Sequence, residues 1–374
     1  MGRRRTALIV GGGIAGMSCA LELHKAGLAV HLIDLDPDWR VYGAGITITG
    51  PTLRAFHDLG ILEPVMAHAY TGEGIQICNV EGEPTGLVPT PGVGPSHVPG
   101  CGGIMRPLLH QILSEKVKQK PIDVRLGLTV DTLISRADRV DVGFSDGTSG
   151  SYDLVIGADG LFSRVRNLIL PQAPQPEYTG QTCWRLAAPR PASIERRTFF
   201  LGGNVKVGLS PVTHAQMYMF LLQTTPRPPH LPAEVLPEKL KGLLEGYGGP
   251  LKEIRQNLGP DSNIIMRPLQ TFFLPKPWHV GRVLLIGDAA HPTTPQLASG
   301  AGMAVEDALV LGQEAARHAE VEHVFEGFMN RRYSRCRLVV ENSIEIGRLE
   351  QRGAPASDQT RLVAESLTAL AEPI

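Results

Sequence analysis

The order of apolar runs predicts an α/β fold in which a mostly parallel sheet domain is interrupted by an inserted, mostly antiparallel β-sheet layer and completed by C-terminal helices. Three observations carry that reading. Residues 6–10, 14–26 and 29–33 read as strand, helix and strand within about thirty residues, the size of a βαβ unit. From about 175 to 275 the texture changes to short alternating runs, at 198–201, 206–209 and 217–222. Residues 283–286 then return to a short buried strand, and the remainder reads as helix. The expected division is 1–170 for the first part of the parallel domain, 171–276 for the β layer and 277–374 for the completion of the domain.

Between these landmarks, residues 51–59 read as a short helix stopped by Gly60. Residues 84–103 are crowded with Pro and Gly and read as irregular. Pro107 opens a helix carrying Leu109, Ile112, Leu113 and Val117. Strands are expected at 131–135 and 139–144, with a hairpin signal at Asp146-Gly147, and again at 154–156. A Pro-rich loop, PRPPHLPAEVLP, interrupts the β layer at 226–237. The run NRRYSRCR at 330–337, followed by Glu341, Glu345 and Glu350, reads as the solvated face of a long late helix.

The 374 residues carry a formal net charge of -1, which argues against nucleic acid or an anionic membrane as the main partner. Five scattered cysteines without C-x-x-C spacing suit neither a disulfide framework nor a zinc site, so a reducing, cytoplasmic setting is expected. The twelve histidines do not cluster at metal-ligand spacing, and no metal is expected. The basic-then-apolar start breaks at Gly11, Gly12 and Gly13, and no uncharged stretch is long enough for a membrane span.

Gly11-x-Gly13-x-x-Gly16 follows a predicted strand and opens a helix. The first glycine makes the tight turn, the second admits a pyrophosphate to the backbone, and the third packs the helix on the strand. The helix start offers unpaired N–H groups to the anion. Asp34 lies at the end of the second strand, where a carboxylate accepts from a ribose hydroxyl and disfavours a 2′-phosphate. The pattern points to a dinucleotide; NAD and FAD share this half.

Two further segments end strands in acid-bearing turns. DLVIGADG, with Asp159, is followed by Ser163, Arg164 and Arg166. GRVLLIGDAAHP, with Gly287, Asp288 and His291, precedes Gly300–Gly302 and a helix over 303–314. Asp288 at a strand end suits a polyol hydroxyl, and the N–H groups of the helix start suit an electron-rich ring oxygen.

These three motifs, in this order, resemble those of the single-component FAD-dependent aromatic hydroxylases, the p-hydroxybenzoate hydroxylase-like and salicylate hydroxylase-like flavoprotein monooxygenases, over nearly the whole chain to about residue 345. The resemblance implies a Rossmann-like, p-hydroxybenzoate hydroxylase-like fold and non-covalent FAD. It implies an ADP site at Gly11, Gly13, Ile14, Ala15, Gly16 and Asp34, and a flavin-side turn at Gly43-Ala44-Gly45-Ile46. Arg106 matches the arginine that reaches FAD, Val130 a backbone contact to adenine, Asp159 the motif between the FAD and NAD(P)H sites, and Asp288 after Gly287 the ribityl contact. Gly300, Ala301 and Gly302 fall beside the flavin N1–C2 carbonyl and Pro295 forms the wall nearest the reacting oxygen. His291 is routine in the motif and reads as structural. Asp34 replaces a more frequent Glu, and Ser299 and Met303 stand where Gln and Asn are frequent.

The implied reaction uses NADH or NADPH to reduce the flavin and O2 to form a C4a-hydroperoxide, which hydroxylates a small aromatic or heteroaromatic phenol or acid. Trp184-Arg185 resembles the family's Trp-Arg pair. Arg185, Lys206 and Tyr218 are the candidate substrate residues, with Lys206 and Tyr218 also assigned catalytic roles beside Pro295. An oxidase or reductase of the same fold without oxygen insertion, and a catalytically silent FAD-binding scaffold, are the competing readings. A monomer or homodimer is expected.

Overall fold

The computed structural model describes residues 4–41, 43–227 and 230–374; the first three residues of the basic start, and Pro228 and Pro229 of the Pro-rich loop, lie outside the described residues. The central sheet has six strands in the order His279–Val280, Val283–Leu285, Leu154–Gly157, Thr6–Val10, Ala29–Asp34 and Asp123–Leu126. All neighbours are parallel except the first pair. These strands read as near-continuous apolar runs because both faces are covered, as a parallel sheet requires.

The strand register brings the three motifs into line. Val10 lies opposite Gly157, and Gly157 opposite Leu285. The motifs therefore leave three neighbouring strands side by side at one carboxyl edge, where open α/β sheets bind ligands.

The second sheet has seven strands, ordered Asn263–Thr271, Glu177–Pro189, Gln216–Thr224, Lys206–Pro211, Thr198–Phe200, Ile75–Cys78 and Pro84–Val88. Two of these strands come from the first ninety residues of the chain, well before the inserted layer expected at 171–276. One face packs on the helices Leu236–Leu243 and Gly249–Asn257 through Trp184, Leu186, Leu209, Met217, Met219 and Leu221. The other face is turned to the parallel domain. Because side chains alternate along a strand, Trp184 belongs to the apolar face and Arg185 to the opposite one.

Two sequence expectations are corrected here. Residues 84–103 are not irregular throughout: Pro84–Val88 is a strand at the edge of the seven-stranded sheet, and Cys101–Met105 pairs with Gly45–Thr49 and Tyr70–Gly72. An edge strand tolerates Pro because its outer N–H positions bond nothing. Gly102 and Gly103 admit close backbone neighbours: a Cβ on either would lie 2.7 Å from the Tyr70 carbonyl oxygen or 2.3 Å from that of Pro211.

The 330–337 run is likewise not a solvated face. Its helix, Val321–Gln351, packs on Gly300–Arg317, whose buried side carries Glu306, Asp307 and Glu314. Arg332 is fully buried, donating to Asp307 Oδ1 at 2.8 Å and Glu306 Oε2 at 2.7 Å. Arg335 donates to Glu306 at 2.8 Å and Arg331 to Glu314 at 2.7 Å. Asp307 Oδ2 also accepts from the Gly287 N–H at 2.8 Å and sits 2.7 Å from His291 Nε2. Burial works against the charge on Asp307, yet His291 and Arg332 hold its carboxyl down to about 2. Burial also opposes charge on His291, but Cys336 and Asp307 raise it well above the usual histidine value. His291, Asp307 and Cys336 lie close enough together to hold a metal, and Arg332 donates to both Asp307 and Cys336 of this cluster.

Asp307→Asn leaves Arg332 and His291 without their shared anion and is expected to destabilise the fold by about 3–5 kcal/mol in urea denaturation. The depressed carboxyl contributes stability above the ordinary carboxylate pKa of about 4, and that contribution is lost as pH falls toward 2. Acid unfolding is therefore steeper below about pH 5 for the wild type than for the Asn variant.

Candidate active site

The first glycine loop is shaped by its neighbours at the carboxyl edge. Gly11 has φ +109°, and a Cβ there would lie 2.4 Å from the Ala158 carbonyl oxygen, inside the second motif. A Cβ on Gly16 would lie 1.8 Å from the Gly11 carbonyl oxygen, so the helix Ile14–Lys25 rests directly on the turn. Gly13 is exposed, and a Cβ there would meet nothing within 4 Å. The helix has no side-chain cap, which leaves its first N–H groups facing that open space beside Ile14 and Ala15. The third motif closes on the same helix, since a Cβ on Gly287 would approach the Ala15 Cβ to 3.0 Å.

Asp34 accepts from the N–H of Gly12 at 2.6 Å and of Asp36 at 2.8 Å. Its carboxylate thus braces the glycine loop, and the buried Trp39 indole donates to the Gly12 carbonyl from the other side at 2.9 Å. Asp159 accepts from the Ser163 hydroxyl at 2.5 Å and the Val165 N–H at 3.0 Å, which fastens the start of the helix Arg164–Ile169. Arg164 in turn donates to the Val130 carbonyl at 2.6 Å. The polar groups of Asp159 and the Val130 carbonyl are therefore used to hold the second motif in shape.

Asp288 is different. It stays accessible although protein encloses it on several sides; that enclosure pushes its carboxyl up, with Arg106 and His291 opposing. Arg106 opens the helix Arg106–Lys118, and Gly43 makes room for its side chain: a Cβ on Gly43 would lie 2.9 Å from Arg106 Cδ.

Arg106 also lines a cavity of about 360 Å³. Ala44, Gly45 and Arg106 line one side, and Pro295, Gly300 and Ala301 a second. The helix Gly300–Arg317 begins here without a side-chain cap, because the Ser299 hydroxyl donates to the Leu297 carbonyl at 2.8 Å instead. Its free N–H groups are left for a ligand. Gly302 packs under Thr52, and Met303 is buried toward Arg332, away from the cavity.

The third side is the free face of the seven-stranded sheet. Ile265, Arg185, Phe220, Gly208 and Phe199 form one row across five strands. Gly208 has no side chain, and the Phe199 and Phe220 rings meet over it edge to face at 5.7 Å. Two residues along, Tyr218 lies between Ala187 and Ser210 and packs on Gly45, where a Cβ would come within 2.5 Å of the Tyr218 ring. Two residues the other way, Lys206 lies opposite Leu222. Arg185 hydrogen-bonds Tyr218, and burial pushes the Tyr218 phenol up to about 12 against that pull. It is a neutral donor at pH 7.

Sequence reading missed two groups here. Lys206 donates to Glu350 Oε1 at 2.7 Å, and Glu350 is held by Gln181 at 3.0 Å and Gln296 at 3.3 Å, so the lysine charge is already balanced. Arg197 lines the cavity, its guanidinium 4.9 Å from the Phe199 ring centre, with Nε buried and without an acceptor. Its place two residues before Phe199, at the entry to the strand Thr198–Phe200, was the available signal for Arg197. Glu350, 144 residues from Lys206, gave none.

Residues 4–343 match the sequence model of a family described as an FAD binding domain. The chain belongs to the FAD-dependent aromatic hydroxylases. It is 31% identical over 98% of both chains to the putative FAD-dependent monooxygenase YetM of Bacillus subtilis. It is 30% identical to the 2-heptyl-3-hydroxy-4(1H)-quinolone synthase of Pseudomonas aeruginosa, over 94% of this chain and 91% of that one. The solved structure of Klebsiella pneumoniae HpxO complexed with FAD and uric acid superposes with a TM-score of 0.85 at 22% identity, over 98% of this chain and 95% of that one. This hydroxylase is therefore an FAD-dependent monooxygenase of aromatic substrates with the p-hydroxybenzoate hydroxylase-like fold. Its residues fit FAD: Gly13 leaves open space beside an uncapped helix start, the Asp288 carboxyl is accessible at the end of the third motif, and the helix at Gly300 begins uncapped at the cavity.

Gly13→Ala is expected to leave the unfolding midpoint of the apoprotein unchanged while weakening FAD binding at least about tenfold, measured by flavin fluorescence, because its Cβ meets only the ligand. Gly11→Ala, strained at positive φ and against backbone, is expected to unfold several degrees earlier.

Proposed function

We propose that this hydroxylase is an NADH- or NADPH- and O2-dependent enzyme acting on a small phenolic or N-heteroaromatic substrate. The observation that carries the reading is the cavity itself. Its volume suits a single or fused ring between Phe199, Phe220, Leu222 and Ile265, and its lining includes the Pro295–Ala301 segment and the polar ends Arg185 and Tyr218. One relative is named as the synthase of a quinolone and one structural neighbour is seen in complex with uric acid, which supports a heteroaromatic ring.

FAD, held at the Gly13 loop, Asp288 and the Gly300 helix start, would supply the redox chemistry of a monooxygenase, with electrons from a nicotinamide nucleotide, one oxygen atom of O2 going to the ring and the other leaving as water. This chain supplies position and electrostatics. N–H groups at Gly300 and Ala301 stabilise negative charge developing beside the helix start. Pro295 and the two phenyl rings exclude water from the reacting face. The Tyr218 phenol, held by Arg185, donates to a ring oxygen and orients the carbon to be hydroxylated.

A screen of phenolic and N-heteroaromatic compounds is expected to find one that stimulates NAD(P)H oxidation and takes one atom of 18O from 18O2 into the product. Hydrogen peroxide as the sole product with every compound would leave an oxidase or reductase instead. Tyr218→Phe is expected to lower kcat/KM for the active compound by about 10- to 100-fold with FAD content unchanged.

A further inference from the structure

Two cations flank the Phe199 ring, Lys206 at 5.8 Å and Arg197 at 4.9 Å. They differ in what they face. Lys206 is neutralised by Glu350, itself fixed by Gln181 and Gln296. The titratable groups acting on Arg197 are the Cys101 thiol and the Tyr218 phenol, neither of them a carboxylate. Arg185, across Tyr218, is likewise without a carboxylate partner among the described residues; it faces Cys183 and Tyr218. Both guanidiniums act on Tyr218 and both line the cavity. Burial pushes the Arg197 guanidinium down to about 10, which leaves it charged at neutral pH.

A half-buried guanidinium with an orphaned Nε is an unfavourable arrangement unless an anion completes it. The planar fork matches a carboxylate or a ring oxyanion, and its stacking on Phe199 holds the fork in line with the apolar slot. We propose that Arg197, with Arg185 on the other side of Tyr218, binds an anionic oxygen of the aromatic substrate and so selects carboxylate- or oxyanion-bearing rings. Lys206 then acts as part of the cavity wall, its charge spent on Glu350. The assignment rests on the hydroxylase reading only for what happens after binding.

The test uses the FAD-loaded enzyme and matched aromatic pairs: benzoate and benzamide, salicylate and salicylamide, quinoline-4-carboxylate and quinoline-4-carboxamide. Binding is read from the flavin absorbance change, and turnover from NADH and NADPH oxidation. In the wild type the more anionic member of at least one pair binds about 10- to 100-fold tighter. Arg197→Met removes that preference while the uncharged partner's Kd stays within about twofold, and Arg197→Lys, which keeps the charge and guards against misfolding, retains part of it. No preference in any wild-type pair, no spectral response to any pair, or an unchanged preference in Arg197→Met overturns the assignment. A preference that depends on Arg197 together with peroxide as the only product leaves the assignment standing and removes the hydroxylase reading.

Discussion

One buried carboxylate ties the molecule together. Asp307 takes the Gly287 N–H, the His291 imidazole and the Arg332 guanidinium at 2.7–2.8 Å, so a single residue joins the turn that presents Asp288, the helix that opens onto the cavity, and the long C-terminal helix. Arg332 passes the constraint to Glu306, and Glu306 to Arg335. Arg54 and Arg335 then fasten the carbonyls at the end of the last helix. The relative position of Asp288 and the uncapped helix start is set by charges that lie wholly buried in the core.

Features that depend on local chain geometry were readable before any fold was known. Gly11 and Gly16 each answer to a steric demand within a few residues or in the adjacent strand, and the register of three parallel strands brings Asp159 and Asp288 to the same edge. Alternation along Glu177–Pro189 likewise separates Trp184 from Arg185. What could not be read was pairing between distant elements. A run such as NRRYSRCR has the composition of a solvated face, and only the packing of one helix on another reveals Glu306, Asp307 and Glu314 beneath it. The same blindness left the Lys206–Glu350 pair unread and hid Arg197.

The β layer does two jobs with one sheet. Its apolar face rests on two helices and gives rigidity, while its other face offers rows of side chains spaced by two residues to the cavity. Gly208 is the hinge of that division, since its missing side chain lets two aromatic rings close over the backbone. The shape of the slot is therefore written in a few positions on neighbouring strands, separate from the ionic core that fixes the cofactor groove.

Ser299 gives its hydroxyl to Leu297 and leaves the helix behind it uncapped. A helix of eighteen residues that begins in a cavity with free N–H groups gains stability from whatever anion or carbonyl arrives there. Folding and cofactor supply are thus linked by mass action: each tenfold excess of free FAD over its dissociation constant adds about 1.4 kcal/mol to the native state. A cell short of flavin would hold less of this protein, because the unloaded chain spends more time open to proteases.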